Sequence, residues 1–298
     1  MERREFLRTV ALAGLASTFK FSDAMDILAQ SGKNVKTGAA YDLVAVMGGE
    51  PEMMFRKAIT EMGGMSKFVK PGNKVVVKPN IGWDKVPELA GNTNPKLVKE
   101  IIDHTCDDWR KCYKNSGIED AAKAAKAKVV PANEESYYRE VDLPHGKNLR
   151  KTKIHNAILD CDVWINVPIL KHHGGANLTI SMKNHMGIVW DRGAFHKNDL
   201  QQCIADICTF RKPAVLNVVD AYRVLKSNGP RGTSAADVVN PKALFISSDI
   251  VAVDTAATKF FNQIRTMPLE DVGHLAKGEA LNIGTMNLDD LKVRRLKM

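Results

Sequence analysis

Between Pro168 and His196 the sequence gathers Lys171, His172, His173, Thr179, Ser181, Lys183, Asn184, His185, Asp191, Arg192 and His196. Four of the chain's eight histidines fall in this stretch. Imidazole titrates near neutral pH and ligates metals in its neutral form. An ammonium binds anions as a point charge. A lysine desolvated beside other cations gives up its proton more readily and becomes a base or nucleophile. The residue types therefore point to two kinds of chemistry. In the first, Lys171 or Lys183 clamps a small anion while His173 works as general acid and base. In the second, His173, His185 and His196 hold a metal ion, provided the fold brings them together. No HExxH or HxH pattern supports a catalytic zinc site. The plain alternative for each histidine is a hydrogen-bonded loop residue.

More polar residues follow apolar runs elsewhere. Lys78-Pro79-Asn80 follows KVVV, and Asp220 follows AVLNVV. In open α/β sheets ligands bind beyond the carboxyl ends of the strands. Lys78 and Asn80 join the candidates as ligand-binding residues, with Asn184, and Asp220 joins Lys171, His173 and Lys183 as a catalytic candidate. Gly229 and Gly232 bracket a tight loop, NGPRG, that either lets backbone approach a ligand or simply turns the chain. The segment TISMKN (179–184) starts a helix whose free amides favour an anion nearby.

The elements that must position these groups alternate. Apolar runs at 41–47, 74–78, 162–167, 214–219 and 243–247 suit buried strands. Helical patterns at 51–62, 95–102, 117–125, 199–210 and 250–261 separate them, and residues 291–296 suit an edge strand. A short strand is expected at 128–130. This alternation predicts an α/β fold with a mostly parallel sheet and helices on both faces. One strand is missing near residues 103–108, where HTCDDWRKCYKNSG offers no apolar run for a return crossover. Lys126 stands where a helix end before a strand favours a left-handed residue.

In order and spacing, several segments resemble the domain-of-unknown-function family 362. They are VVVKPN (75–80), NTNPKLV (92–98), PILKHH (168–173), TISMKNHMG (179–187), VVDAY (218–222), NGPRG (228–232) and SSDIVAVDTAA (247–257). The resemblance implies an α/β fold with polar residues gathered from several strand ends. It carries Lys78, Asn80, Lys171, His173, Lys183, Asn184 and Asp220 into the candidate site. Some members of that family are called iron–sulfur proteins. This chain has five cysteines at 106, 112, 161, 203 and 208 and no CxxC, so no cluster is expected. Cys106 and Cys112 are a candidate pair in an oxidising compartment; the others read as core thiols.

Residues 1–30 read as an export signal. Arg3 and Arg4 precede a weakly apolar stretch, TVALAGLASTF, and Ser22-Asp23-Ala24 offers a cleavage site. Paired arginines and weak hydrophobicity resemble a twin-arginine signal, which implies export machinery as a partner and a periplasmic address. The apolar stretch is too short to span a bilayer. Residues 31–40 then read as a linker and 41–298 as one domain. The net charge of +9 suits an acidic partner. With only 6% aromatic residues and no nucleic-acid motif, a small anion is expected rather than nucleic acid.

Overall fold

The computed structural model describes residues 40–97 and 105–298. The expected export signal and all but the last residue of the linker lie outside the described residues, as does the second half of the helix expected at 95–102.

The apolar run of β1 (Leu43–Met47) ends at Gly48, and Pro51 opens α1 (Pro51–Glu61), where its missing N–H costs nothing. β2 (Val75–Pro79) follows. A long loop leads to α2 (Trp109–Asn115), capped by the Asp108 carboxylate accepting from the Lys111 amide, and to α3 (Ile118–Ala124). Past α3, Lys126 takes a left-handed φ of 59°, a cost of about 1 kcal/mol for a residue with a Cβ. The hairpin β3 (Tyr138–Asp142) and β4 (Lys151–His155) forms a separate two-stranded sheet. Next come α4 (Asn156–Asp160), β5 (Val163–Val167), β6 (Ile169–His173), β7 (Asn177–Thr179), α5 (Ser181–Asn184), α6 (Gly193–Lys197) and α7 (Leu200–Ile207). The chain closes with β8 (Leu216–Leu225), β9 (Val238–Val239), β10 (Ala243–Ser247), α8 (Ile250–Ile264), α9 (His274–Ala280) and β11 (Val293–Lys297).

The main sheet has nine strands on the path β11-β1-β10-β8-β5-β2, with β6 and β9 pairing β8 and β7 pairing β6. Only β10 runs against the other five on that path, because it is antiparallel to both β1 and β8. The sheet is thus mostly parallel by strand direction, as expected. Alternation along the strands divides the core between its two faces. Val44, Val46, Ile165, Leu216, Val218, Leu244 and Ile246 pack against Met54, Ala58, Ile59 and Met62 of or next to α1. Leu43, Ala45, Val76, Trp164, Val219 and Phe245 face the other way, onto α7, α8 and α9.

Three expectations change. Lys171, His172 and His173 lie on a strand, β6, rather than in a loop. β8 continues five residues past Asp220, so that carboxylate sits mid-strand. The segment expected as a strand at 128–130 has a single bridged residue, Val129, whereas residues 105–108 form no strand, in line with the strand expected to be missing there. Among the described residues no helix is long and apolar enough to cross a membrane.

Candidate functional site

One polar row crosses the sheet. Lys78 on β2 stands opposite Asn166 on β5, Asn166 opposite Asn217 on β8, and Asn217 opposite Ser247 on β10. All four are fully or almost fully buried. Buried polar groups need partners, and these find one another. Lys78 Nζ donates to Asn184 Oδ1 (2.7 Å), Asn184 Nδ2 to Asn166 Oδ1 (2.9 Å), and Asn166 Nδ2 to Asn217 Oδ1 (2.9 Å).

Beyond this row, the loop after β2 is folded back by its own side chains. Thr93 Oγ1 accepts from the Asn80 amide and donates to Val167 O, joining the loop to β5. Asn92 accepts from the Trp83 amide and donates to Trp83 O, imitating a strand partner. Lys171 ties the arrangement together. Its Nζ donates to Asn80 Oδ1 (3.1 Å), Pro230 O (3.0 Å) and Gly91 O. Three N–H donors meet three acceptors on two loops, and the side chain is 1% exposed.

These loops enclose a cavity of about 390 Å³. Lys78, Asn80, His173, Lys183, Asn184, Arg192 and His196 supply its polar wall, with Trp83, Cys106, Met186 and Pro230 among the others. Among the described residues every charged side chain in the lining is a cation. At the rim, Arg192 donates to Thr105 O (2.7 Å) and to Cys106 Sγ (3.1 Å). The Arg231 guanidinium lies 4.8 Å from the Trp83 ring centroid and pairs with Asp107 (3.1 Å).

The histidines are sorted by their partners. His173 Nδ1 accepts from the amides of Gly175 and Ala176 (both 3.1 Å), so its proton sits on Nε2. Burial, then the charges of Lys183 and Lys171, hold the ring neutral, with its pKa lowered to about 2. His173 is therefore placed as a neutral ring whose Nδ1 lone pair is already taken by two amides and whose Nε2–H is left to donate. His196 is also held below its ordinary value, by burial and then by Lys183 and Arg192. His172 turns its Nδ1 to the Gly229 amide. His185 does not line the cavity. Its ring lies 4.9 Å from that of Trp164 and its Nδ1 3.4 Å from Cys208 Sγ. The candidate metal set of His173, His185 and His196 is thus not assembled, and among the described residues no group of three His, Cys, Asp or Glu side chains could hold a metal ion.

Four other candidates take structural places. Asp220 is 1% exposed and accepts from the amides of Asn94 (2.7 Å) and Tyr222 (3.0 Å), away from the cavity lining. Burial pushes its pKa up to about 6. Lys171 is the clamp described above. Gly229 and Gly232 serve close backbone packing: a Cβ would lie 1.8 Å from His172 O at the first and 2.3 Å from Leu89 O at the second. The amides at the start of α5 do not await an anion, because the buried Asp254 carboxylate accepts from Ser181 N (2.9 Å) and Met182 N (2.8 Å). All five cysteines are free, so Cys106 and Cys112 are not paired.

Sequence reasoning missed Asn166, Asn217, Trp83 and Cys106. The two asparagines had a signal: each is a lone amide inside an apolar strand, in WINV and VLNVV. Trp83 and Cys106 had none, since they meet only when two loops fold together. His274 was also missed. It is fully buried, with Nδ1 2.6 Å from Gln201 Oε1, and burial and the Lys183 charge lower its pKa to about 3.

Fold and site together define an α/β protein with a cationic cavity beyond the carboxyl ends of a mostly parallel sheet. The family model "Domain of unknown function (DUF362)" matches residues 75–259, which include every residue of that cavity's described lining, and the chain belongs to this family. It is 24% identical over 225 residues to the thylakoid-associated protein sll1697 of Synechocystis sp. (strain ATCC 27184 / PCC 6803 / Kazusa), a match covering 68% of this chain and 67% of that protein. Among solved structures it is similar to the lactate racemase apoprotein from Thermoanaerobacterium thermosaccharolyticum, with a TM-score of 0.45 and 13% identity. That match covers 79% of this chain and spans about three fifths (61%) of the other.

Proposed function

We propose that the cavity binds a small organic anion and that the chain is an enzyme acting on it. The observation that supports this reading is the convergence of Lys78, Lys183 and Arg192 on one cavity, together with the Nε2–H of a neutral His173. Cations and preorganised donors in a partly enclosed site stabilise negative charge far better than they do in water. Lys183 and Arg192 take the anionic group, and the His173 donor faces charge that develops during reaction. The apolar body of the guest rests on Trp83, Met186 and Pro230.

Cys106 provides the test. It is the exposed cysteine of the five and it lines the cavity. An anionic thiolate ordinarily reacts faster with neutral iodoacetamide than with anionic iodoacetate, because like charges repel. In this cavity the order is expected to reverse at Cys106, and Lys183→Met is expected to restore the ordinary order. Faster alkylation by iodoacetamide in the unmodified sequence would overturn the reading. Added mass in a native spectrum, lost on denaturation, would replace it with a cofactor-holding role. The same spectrum of exported protein tests the proposed removal of the twin-arginine-type signal, expected as a chain beginning after Ala24.

A further inference from the structure

We infer that Asn166 and Asn217 are specificity-determining residues: they lock the Asn184 amide so that its oxygen is turned to Lys78 and Asn80 and is not offered to a guest, which selects an ionised carboxylate over its neutral amide isostere. The inference rests on the anion-binding reading above and deepens it.

The argument is one of direction. An asparagine amide has an acceptor end and a donor end, and which faces where is decided by the groups around it. At the cavity, Lys78 can only donate, so Asn184 must present Oδ1 to it. That oxygen also accepts from Asn80 Nδ2 (3.0 Å), which fills both its lone pairs. Asn80 Oδ1 in turn is taken by Lys171. The Asn184 oxygen is therefore filled from within the protein, while the Asn80 oxygen is held by Lys171. At the far end of the row the fixed groups are backbone carbonyls, which can only accept. Asn166 Nδ2 donates to Ser181 O (3.1 Å) as well as to Asn217 Oδ1, and Asn217 Nδ2 points at Ser247 O (3.5 Å). A pure donor at one end and pure acceptors at the other leave one consistent orientation for all three amides. Asn184 Nδ2 has weaker alternatives in Lys78 O and Pro79 O, both at 3.4 Å, so Asn166 is the partner that holds it well. The row needs no carboxylate, and each amide dipole turns its oxygen end toward Lys78, strengthening the next.

The site's selectivity is read as the ratio of iodoacetate to iodoacetamide alkylation rates at Cys106. Asn166→Leu and Asn217→Leu are each expected to lower that ratio about fivefold, the worth of roughly one amide hydrogen bond. Asn217→Asp, which keeps the oxygen that accepts from Asn166, is expected to retain it. If the unmodified sequence shows the iodoacetate preference and both leucine variants keep it unchanged, the inference fails and the anion-binding reading stands. If the unmodified sequence lacks the preference, both fail. A second measurement needs no substitution. Carboxymethyl and carbamidomethyl adducts of Cys106 are compared by their asparagine side-chain amide resonances. Those of Asn184, Asn166 and Asn217 are expected to shift together; a shift confined to Asn184, or none, overturns the inference.

Discussion

Two sets of buried charge in this molecule are handled in opposite ways. Asp206, Asp220 and Asp254 are taken up mainly by backbone amides. Asp206 accepts from Asn148 N and Leu149 N, Asp220 from Asn94 N and Tyr222 N, and Asp254 from Ser181 N and Met182 N. Each carboxylate joins a loop or helix start to a distant element, and none lines the cavity. Lys78 and Lys171 instead donate to amide and carbonyl oxygens around the cavity. The aspartates and Lys171 belong to the scaffold, and Lys78 belongs to the cavity wall. Paired with one another, these charges would cancel, and breaking the pair would cost as much as either interaction. Kept apart, the aspartates and Lys171 fix the loops, and Lys78 leaves positive potential where a ligand can use it.

The comparison is broken most severely at Lys171. Lys171→Met leaves three buried oxygens without their donor, and a loss of roughly 3–5 kcal/mol in denaturant unfolding is expected. A stable Lys171→Met protein that merely fails to bind anions would move Lys171 from scaffold to site. Next in size, Asp254→Ala strips the cap from α5 and is expected to cost about 3 kcal/mol in the same measurement.

Acid titration sharpens the contrast. His173, lowered to about 2, and His185 and His274, each lowered to about 3, bind protons in the unfolded chain near 6.5 but not in the fold. Their contribution falls as pH drops below 6.5. Asp220, raised to about 6, and Asp254, raised to about 7, act oppositely. Their contribution is complete below the unfolded value of 3.8 and is lost as pH rises through 6 to 7. Histidines held below their ordinary value, His155, His172 and His196 among them, outnumber the raised aspartates, which include Asp249, so stability is expected to fall gently from pH 7 to pH 5. Asp254→Asn removes one offsetting group and is expected to steepen that fall; unfolding curves at three pH values decide it.

The smallest stability effect is expected at the cavity itself. Lys183 is half-buried, and Lys183→Ala is expected to change stability by no more than about 0.5 kcal/mol while abolishing turnover of an anionic substrate and the iodoacetate preference of Cys106. A large drop in melting temperature would place Lys183 with the scaffold.

Much of this could be seen in the chain. Lys78 and Asn80 stood out because an apolar strand stops at polar residues, and Lys183 and Asn184 because they fall in the stretch 168–196 that gathers lysines and histidines. β6 was not legible, since its apolar part is two residues, Ile169 and Leu170, too short for a period to show. The hairpin β3–β4 was hidden because YREVD and KTKIH are largely polar, with one face toward solvent. Asp220 was placed at a strand end because Tyr222 and Arg223 break the apolar run, although backbone pairing carries β8 on to Leu225.

By itself the sequence determined the core strands and the main helices, because their apolar residues have to be buried and their spacing sets the period. It also determined the sign of the charge brought to the strand ends. Only the tertiary structure decided which of those charges reach a cavity. Lys78 and Lys171 are the same residue type at similar strand positions, yet one lines the cavity and the other is spent on three carbonyl and amide oxygens. The choice depends on acceptors contributed by loops tens of residues away, and a local pattern holds no record of them.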